Sequence, residues 1–203
     1  MQNKFDLSRR QFGILSGAGA LAATLGLPAH AFTTEQARDL VGRLVADIQI
    51  IIDSGNSEDR MLRDFDQLLV RYADMPIIAQ TVMGVDWRRA SNSQQEQFIA
   101  AFQGYMARKY GRRFREFIGG QIEVNQARAV RSFYEVTSTA YLSGNNPFEV
   151  IWLVSDGSGQ DRFFNLVIEG VNLRTTERTE IGAMLDRRGG DIDQLIVDLQ
   201  SLG

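Results

Sequence analysis

The sequence contains no cysteine, and its single histidine, His30, lies close to the start of the chain. Without cysteine there are no disulfides, no thiolate metal sites, no Fe–S clusters and no cysteine-linked lipid anchor. The first residues read as a leader, and they take the histidine with them. Ser8-Arg9-Arg10-Gln11-Phe12 is a twin-arginine pattern, followed by a weakly hydrophobic Gly/Ala-rich run from Gly13 to Leu27. Ala29-His30-Ala31 then supplies a small-x-small cleavage site. A run so rich in small residues makes a poor membrane span. The expected organisation is a twin-arginine signal peptide over residues 1–31, cleaved near Ala31, and one exported, periplasmic domain over residues 32–203. A domain of that length buries about 70% of its unfolded-chain surface. Cleavage leaves neither His nor Cys, which excludes Ser-His-Asp and Cys-His catalysis and imidazole metal sites. Carboxylate or tyrosine chemistry is what remains for an enzyme, and no cofactor is expected.

A basic excess is also missing. The whole chain carries a net charge of −3. The leader holds Lys4, Arg9 and Arg10 against Asp6, so its removal takes the balance to −5. That balance does not favour a polyanion, and export makes nucleic acid an improbable partner. Internal repeats and low-complexity tracts are absent from the mature region.

What is present is a set of helical patterns around a run of extended ones. Thr33 with Gln36 has capping-box spacing, and Ala37, Leu40, Val41, Leu44, Val45, Ile48 and Ile52 follow at helical intervals. A second helix is predicted over about Ser57 to Tyr72. A short third one opens at Pro76, carries Ile77, Ile78, Val82 and Met83, and ends near Gly84. Ser93 with Glu96 reads as the capping box of a long helix bearing Phe98, Phe102, Tyr105, Met106 and Tyr110. Four extended segments come next: Gln121 to Arg128, Arg131 to Ser143, Phe148 to Ser155, and Arg162 to Arg174. Turn-formers separate the later ones, as in antiparallel hairpins. In the third and fourth segments both faces are apolar, with Phe163 and Val167 opposing Phe164, Leu166 and Ile168, whereas an antiparallel sheet normally wets one face. Helices are expected again from Thr176 to Arg188 and after Asp191. The fold class is α+β: helices on a curved, four- to five-stranded antiparallel sheet.

Two stretches carry a family resemblance. Val85-Asp86-Trp87-Arg88-Arg89-Ala90-Ser91, with Gln95, Phe98, Phe102 and Tyr110, resembles the central helix of the MlaC proteins. These are the periplasmic phospholipid carriers of the Mla system, also known as toluene-tolerance auxiliary proteins. The run from Leu166 to Leu173, with Arg178 and the closing Leu195-Ile196-Val197-Asp198-Leu199, resembles the family's other signature. Phe163-Phe164-Asn165 departs from it, as does Asn172 where serine is frequent. The resemblance implies a cone-shaped fold around an apolar cavity. It also implies a shuttle that carries phospholipid between an outer-membrane lipoprotein–porin complex and an inner-membrane transporter with an MCE domain.

The expected cavity lies between the long helix and the sheet, lined by Met83, Phe102, Tyr105, Met106, Val136, Val150, Trp152, Leu166 and Ile168. Such residues form an ordinary filled core in most proteins. At about 100° per residue, Lys109 and Arg113 share the angular stripe of Phe102 and Met106. They are expected at the cavity rim, placed for a lipid headgroup or a docking partner. Alternatively, Gly111 interrupts the helix and the whole basic run, Arg108-Lys109-Arg112-Arg113-Arg115, is a solvated face. A second function class is an exported cone-fold enzyme holding an apolar small molecule over a carboxylate. Its candidates are Asp156, Asp161 and Glu169, with Tyr134 or Tyr141 as proton donors. A third class is an adaptor with a dry core that binds no lipid.

Overall fold

The computed structural model describes residues 32–113, 117–142 and 144–202, so the expected leader lies outside the described part. Six helices surround a five-stranded sheet. Helix α1 spans Thr34–Asp53, α2 Glu58–Tyr72, α3 Met75–Met83 and α4 Asn92–Gly111, with a 3₁₀ segment Gly84–Arg88 between α3 and α4. The strands are β1 Gln121–Val130, β2 Phe133–Tyr141, β3 Phe148–Ser155, β4 Arg162–Ile168 and β5 Val171–Asn172. Helices α5, Leu173–Arg187, and α6, Ile192–Ser201, complete the chain. The strands pair in chain order, β1-β2-β3-β4-β5, every neighbour antiparallel, and the sheet does not close.

Local signals set most boundaries. The Thr33–Gln36 capping box is formed as its spacing requires. The box that opens α4 is Ser91 with Gln94, not Ser93 with Glu96. Both pairs have the spacing, but Ser91 has the extended backbone that an N-cap needs, while Ser93 is already helical. The expected fourth segment, Arg162 to Arg174, breaks into β4, a tight turn, β5 and the start of α5. Glu169 and Gly170 both take positive φ, 50° and 79°, which reverses the chain in two residues. Asn172 then accepts from the Thr175 N–H and starts α5 before Thr176.

The register also corrects the expected face of Phe163. A shift between Leu153 and Val154 in the β3–β4 ladder sets Phe163, not Phe164, opposite Val154. Phe163 therefore joins Val150, Trp152 and Val154 on the buried face, its ring edge-on to Trp152 at 5.8 Å. On the other face Ile151, Leu153 and Val167 are half-buried. Helix α1 lies across β1, β2 and β3 on the buried side, α2 packs on α1 and α4, and α5 and α6 pack on α3 and α4 respectively. Gly111 permits a close approach of α4 to α2, since a Cβ there would lie 2.7 Å from Leu62. The α2–α3 junction is tied to β4 by Asp74 N–H to Phe163 O, 2.8 Å, and by Arg162 Nη1 to Ala73 O, 3.0 Å.

Beneath the sheet's centre the indole Nε1 of Trp152 donates to Ser138 Oγ at 2.9 Å, and Ser138 Oγ donates to Val150 O at 3.1 Å. Both side chains are buried. Ser138→Ala strands the indole N–H with nothing to receive it, and should cost about 1–3 kcal/mol of stability. Urea denaturation of the two proteins measures it; a loss near zero would mean the indole finds another acceptor.

Candidate functional site

Between helices and sheet lies a cavity of about 670 Å³. Leu44 and Ile48 of α1, Phe65 and Leu68 of α2, and Met75 and Ile78 of α3 line it on the helical side. Val150 and Trp152 of β3 with Phe163, Leu166 and Ile168 of β4 form the sheet wall. Exposed liners mark where it meets solvent: Arg113, Asn145, Asn146, Glu169 and Val171. The lining is mostly apolar, with Asn165 and Glu177 as its buried polar members, and the opening is polar.

Of the expected liners, Met106, Val150, Trp152, Leu166 and Ile168 line this cavity. Met83, Phe102, Tyr105 and Val136 are buried away from it. Helix α4 is packed by α2, α3 and α6, so its Phe102, stacked on Phe98 at 5.6 Å, is taken up by helix–helix packing. Val136 is covered within the sheet's packed face, opposite Trp152. Met83 lies at the end of α3, the helix that packs against α5.

The basic run does not act as one surface. Arg108 donates to the carbonyls of Leu199, 2.5 Å, and Leu202, 2.8 Å, closing the end of α6. Arg112 pairs with Glu58 at 3.4 Å. Arg115 lies outside the described residues. Arg113 is exposed at the opening, whereas Lys109 turns inward to α5. Its Nζ donates to Glu177 Oε1 at 2.8 Å and to Glu180 Oε2 at 2.5 Å. Tyr110 OH also donates to Glu177 Oε1, and Tyr105 OH donates to Glu180 Oε1 at 2.8 Å. Burial disfavours the charge on Lys109, but the hydrogen bonds with Glu177 and Glu180 outweigh it and raise its pKa. Burial pushes the Tyr105 hydroxyl up to about 12. Glu180 is pushed up by burial and drawn down further by its bonds from Lys109 and Tyr105, ending below its ordinary value.

Two charged cavity residues on α5 have no counterpart among the expected ones. Glu177 is fully buried, lines the cavity, and keeps its Oε2 without a hydrogen-bond partner among the described residues. Arg174, one turn earlier, lies with its guanidinium 5.2 Å over the Phe164 ring, and burial alone lowers its pKa. No carboxylate among the described residues pairs with it. The signal for Glu177 is a charge on the stripe Leu173, Glu177, Ile181, Met184, where the helical period calls for an apolar residue.

The sequence profile of the MlaC protein family matches residues 39–201. The chain belongs to the MlaC family. A solved relative shares the fold: the phospholipid-binding protein from Ralstonia solanacearum, determined in complex with a phospholipid, superposes with a TM-score of 0.70. The two are 23% identical, over 81% of this chain and 95% of that one. Of the carboxylates considered for an enzyme, Glu169 is exposed at the cavity opening. Asp156 and Asp161 are exposed on the β3–β4 hairpin and do not line the cavity. Tyr134 OH donates to the Phe32 carbonyl, and Tyr141 is exposed beside Glu123. Among the described residues no group of three or more His, Cys, Asp or Glu could hold a metal ion.

Lys109→Met would leave the Glu177 carboxylate buried without its cation, a change expected to cost about 3–5 kcal/mol. Glu180→Gln, at a carboxylate 44% exposed, should cost about 1 kcal/mol or less. Chemical denaturation at neutral pH compares them; equal losses would show that Glu177 is not the charge Lys109 chiefly serves.

Proposed function

We propose that this MlaC-family protein is an exported carrier of phospholipid, and not an enzyme. Cleaved near Ala31, it moves lipid through the periplasm between an outer-membrane lipoprotein–porin complex and an inner-membrane transporter with an MCE domain. The observation that carries this reading is the apolar cavity of about 670 Å³ with its polar opening. Its size falls within the range of about 300–1,000 Å³ typical of pockets that enclose a ligand. A two-chain phospholipid has on the order of 30 methylenes at about 0.8 kcal/mol each, so leaving the chains in water costs roughly 20 kcal/mol. A soluble carrier needs an apolar enclosure for most of that surface. The phospholipid held by the Ralstonia relative supports the same use of the fold. No helix among the described residues is long and apolar enough to cross a membrane.

In this reading the acyl chains lie against Ile48, Phe65, Val150, Trp152 and Leu166, and the phosphate stays at the polar side. Among the described residues, Arg113 at the opening and Arg174 beside Phe164 are the cavity-lining cations. Lys109 is engaged with Glu177 and Glu180, so it leaves the headgroup role to them.

Protein purified from the periplasm under native conditions and extracted with organic solvent should yield phospholipid near one molecule per chain. Val150→Glu sets an unpaired charge on the wall at a cost of several kcal/mol and should empty the folded protein. Repeated preparations with no bound lipid, or a folded Val150→Glu protein with the normal amount, would overturn the carrier. Export has its own test. Replacing Arg9 and Arg10 together with Lys should leave the protein in the cytoplasm, whereas continued delivery would mean the general secretory route.

A further inference from the structure

The carrier reading leaves one buried group unexplained. A carboxylate oxygen enclosed without a donor is destabilising, and nothing in the lipid's acyl chains could relieve it. Glu177 accepts from Lys109 and Tyr110 through Oε1 alone, while Oε2 has no partner. Lys109 is itself divided between two carboxylates, Glu177 and Glu180, so this group holds one more negative charge than positive. Arg174 lines the same cavity from the same helix, three residues earlier and without a carboxylate of its own. Residues so spaced stand about 5–6 Å apart at their Cβ atoms on one face. Arg174, a cation that lacks an anion, thus lines the cavity one turn from a covered acceptor that lacks a donor.

We infer that this α5 pair is a recognition site for the polar part of the cargo lipid, selecting a phosphate that carries an N–H or O–H donor beside it. Arg174 takes the phosphate oxygen and Glu177 Oε2 takes the donor. The inference rests on the carrier reading above and adds a cargo preference to it. The donor has two possible sources, a primary ammonium or a glycerol hydroxyl. A trimethylammonium headgroup has neither, and would leave Oε2 as it stands in the free protein. A site with a buried acceptor discriminates against a ligand that cannot satisfy it far more strongly than an apolar pocket can. Oε2 is covered in the free protein. The donor therefore reaches it through side-chain movement at the α4–α5 seam, which Tyr105, Lys109 and Tyr110 bridge.

The test uses the mature protein stripped of lipid. It is incubated with vesicles holding phosphatidylethanolamine, phosphatidylglycerol and phosphatidylcholine in equal amounts with identical acyl chains. The protein is then re-isolated and its lipid measured by mass spectrometry. At least one donor-bearing lipid should be enriched about fivefold or more over phosphatidylcholine. Enrichment of phosphatidylethanolamine alone assigns the donor to the ammonium, and enrichment of phosphatidylglycerol assigns it to the hydroxyl. Equal loading of all three overturns the site but leaves the carrier intact; loading of none overturns the carrier.

Glu177→Gln is close to isosteric. Its one oxygen is claimed by Lys109 and Tyr110, so an NH₂ replaces the free acceptor and the preference should fall to within about twofold. Arg174→Gln should lower loading of all three lipids and keep their order. A folded Glu177→Gln protein that keeps the full preference would overturn the role of Oε2. Should that variant not fold, the ranking by the unmodified protein still decides.

Discussion

Two apolar walls gain free energy by closing on each other, so a cavity between them persists only where something fixes their spacing. In this protein polar ties join the helical wall to the sheet and brace each wall within itself. Asp74 and Arg162 hold the α2–α3 junction to β4. Ser138 fixes the Trp152 indole within the sheet, and Lys109 with Glu177 and Glu180 spans α4 to α5. Each tie is satisfied only at one separation, because a hydrogen bond weakens steeply when lengthened or bent. The apolar lining can then stay apart without rigid packing of its own.

The sequence made the elements legible and the site only partly so. Capping boxes, turn glycines and helical stripes act over three or four residues, which is why α1, α2 and the hairpin order could be read directly. A bulge is different. Phe163 reaches the buried face because of a mismatch between β3 and β4, and nothing within β4 alone announces it. Phe102 illustrates a second limit. Its stripe marks a buried face correctly, but whether that face meets a cavity or another helix depends on which helices pack around α4.

Lys109 and Arg113 show the same limit for charge. They share one angular stripe, yet one is drawn to α5 by Glu177 and Glu180 while the other stays at the opening. The partners that separate them are about 70 residues away in the chain. Conversely, Glu177 was visible in principle: a carboxylate on an apolar stripe needs a cation from elsewhere. The family match supports the fold.

The α4–α5 seam has a consequence for the environment in which the protein works. Glu180, held below its ordinary pKa, contributes stability at any pH above the ordinary carboxylate range and loses it only as the pH falls through the lowered value. Lys109, raised above its own, contributes fully below the ordinary lysine range and loses it only in strong alkali. Tyr105, displaced upward, also stays in one state throughout that interval. With the lone histidine in the expected leader, the domain has no imidazole to change charge near neutrality. Surroundings that drift between mildly acid and mildly alkaline leave the Lys109 and Tyr105 bonds to Glu180 in the charge states that form them.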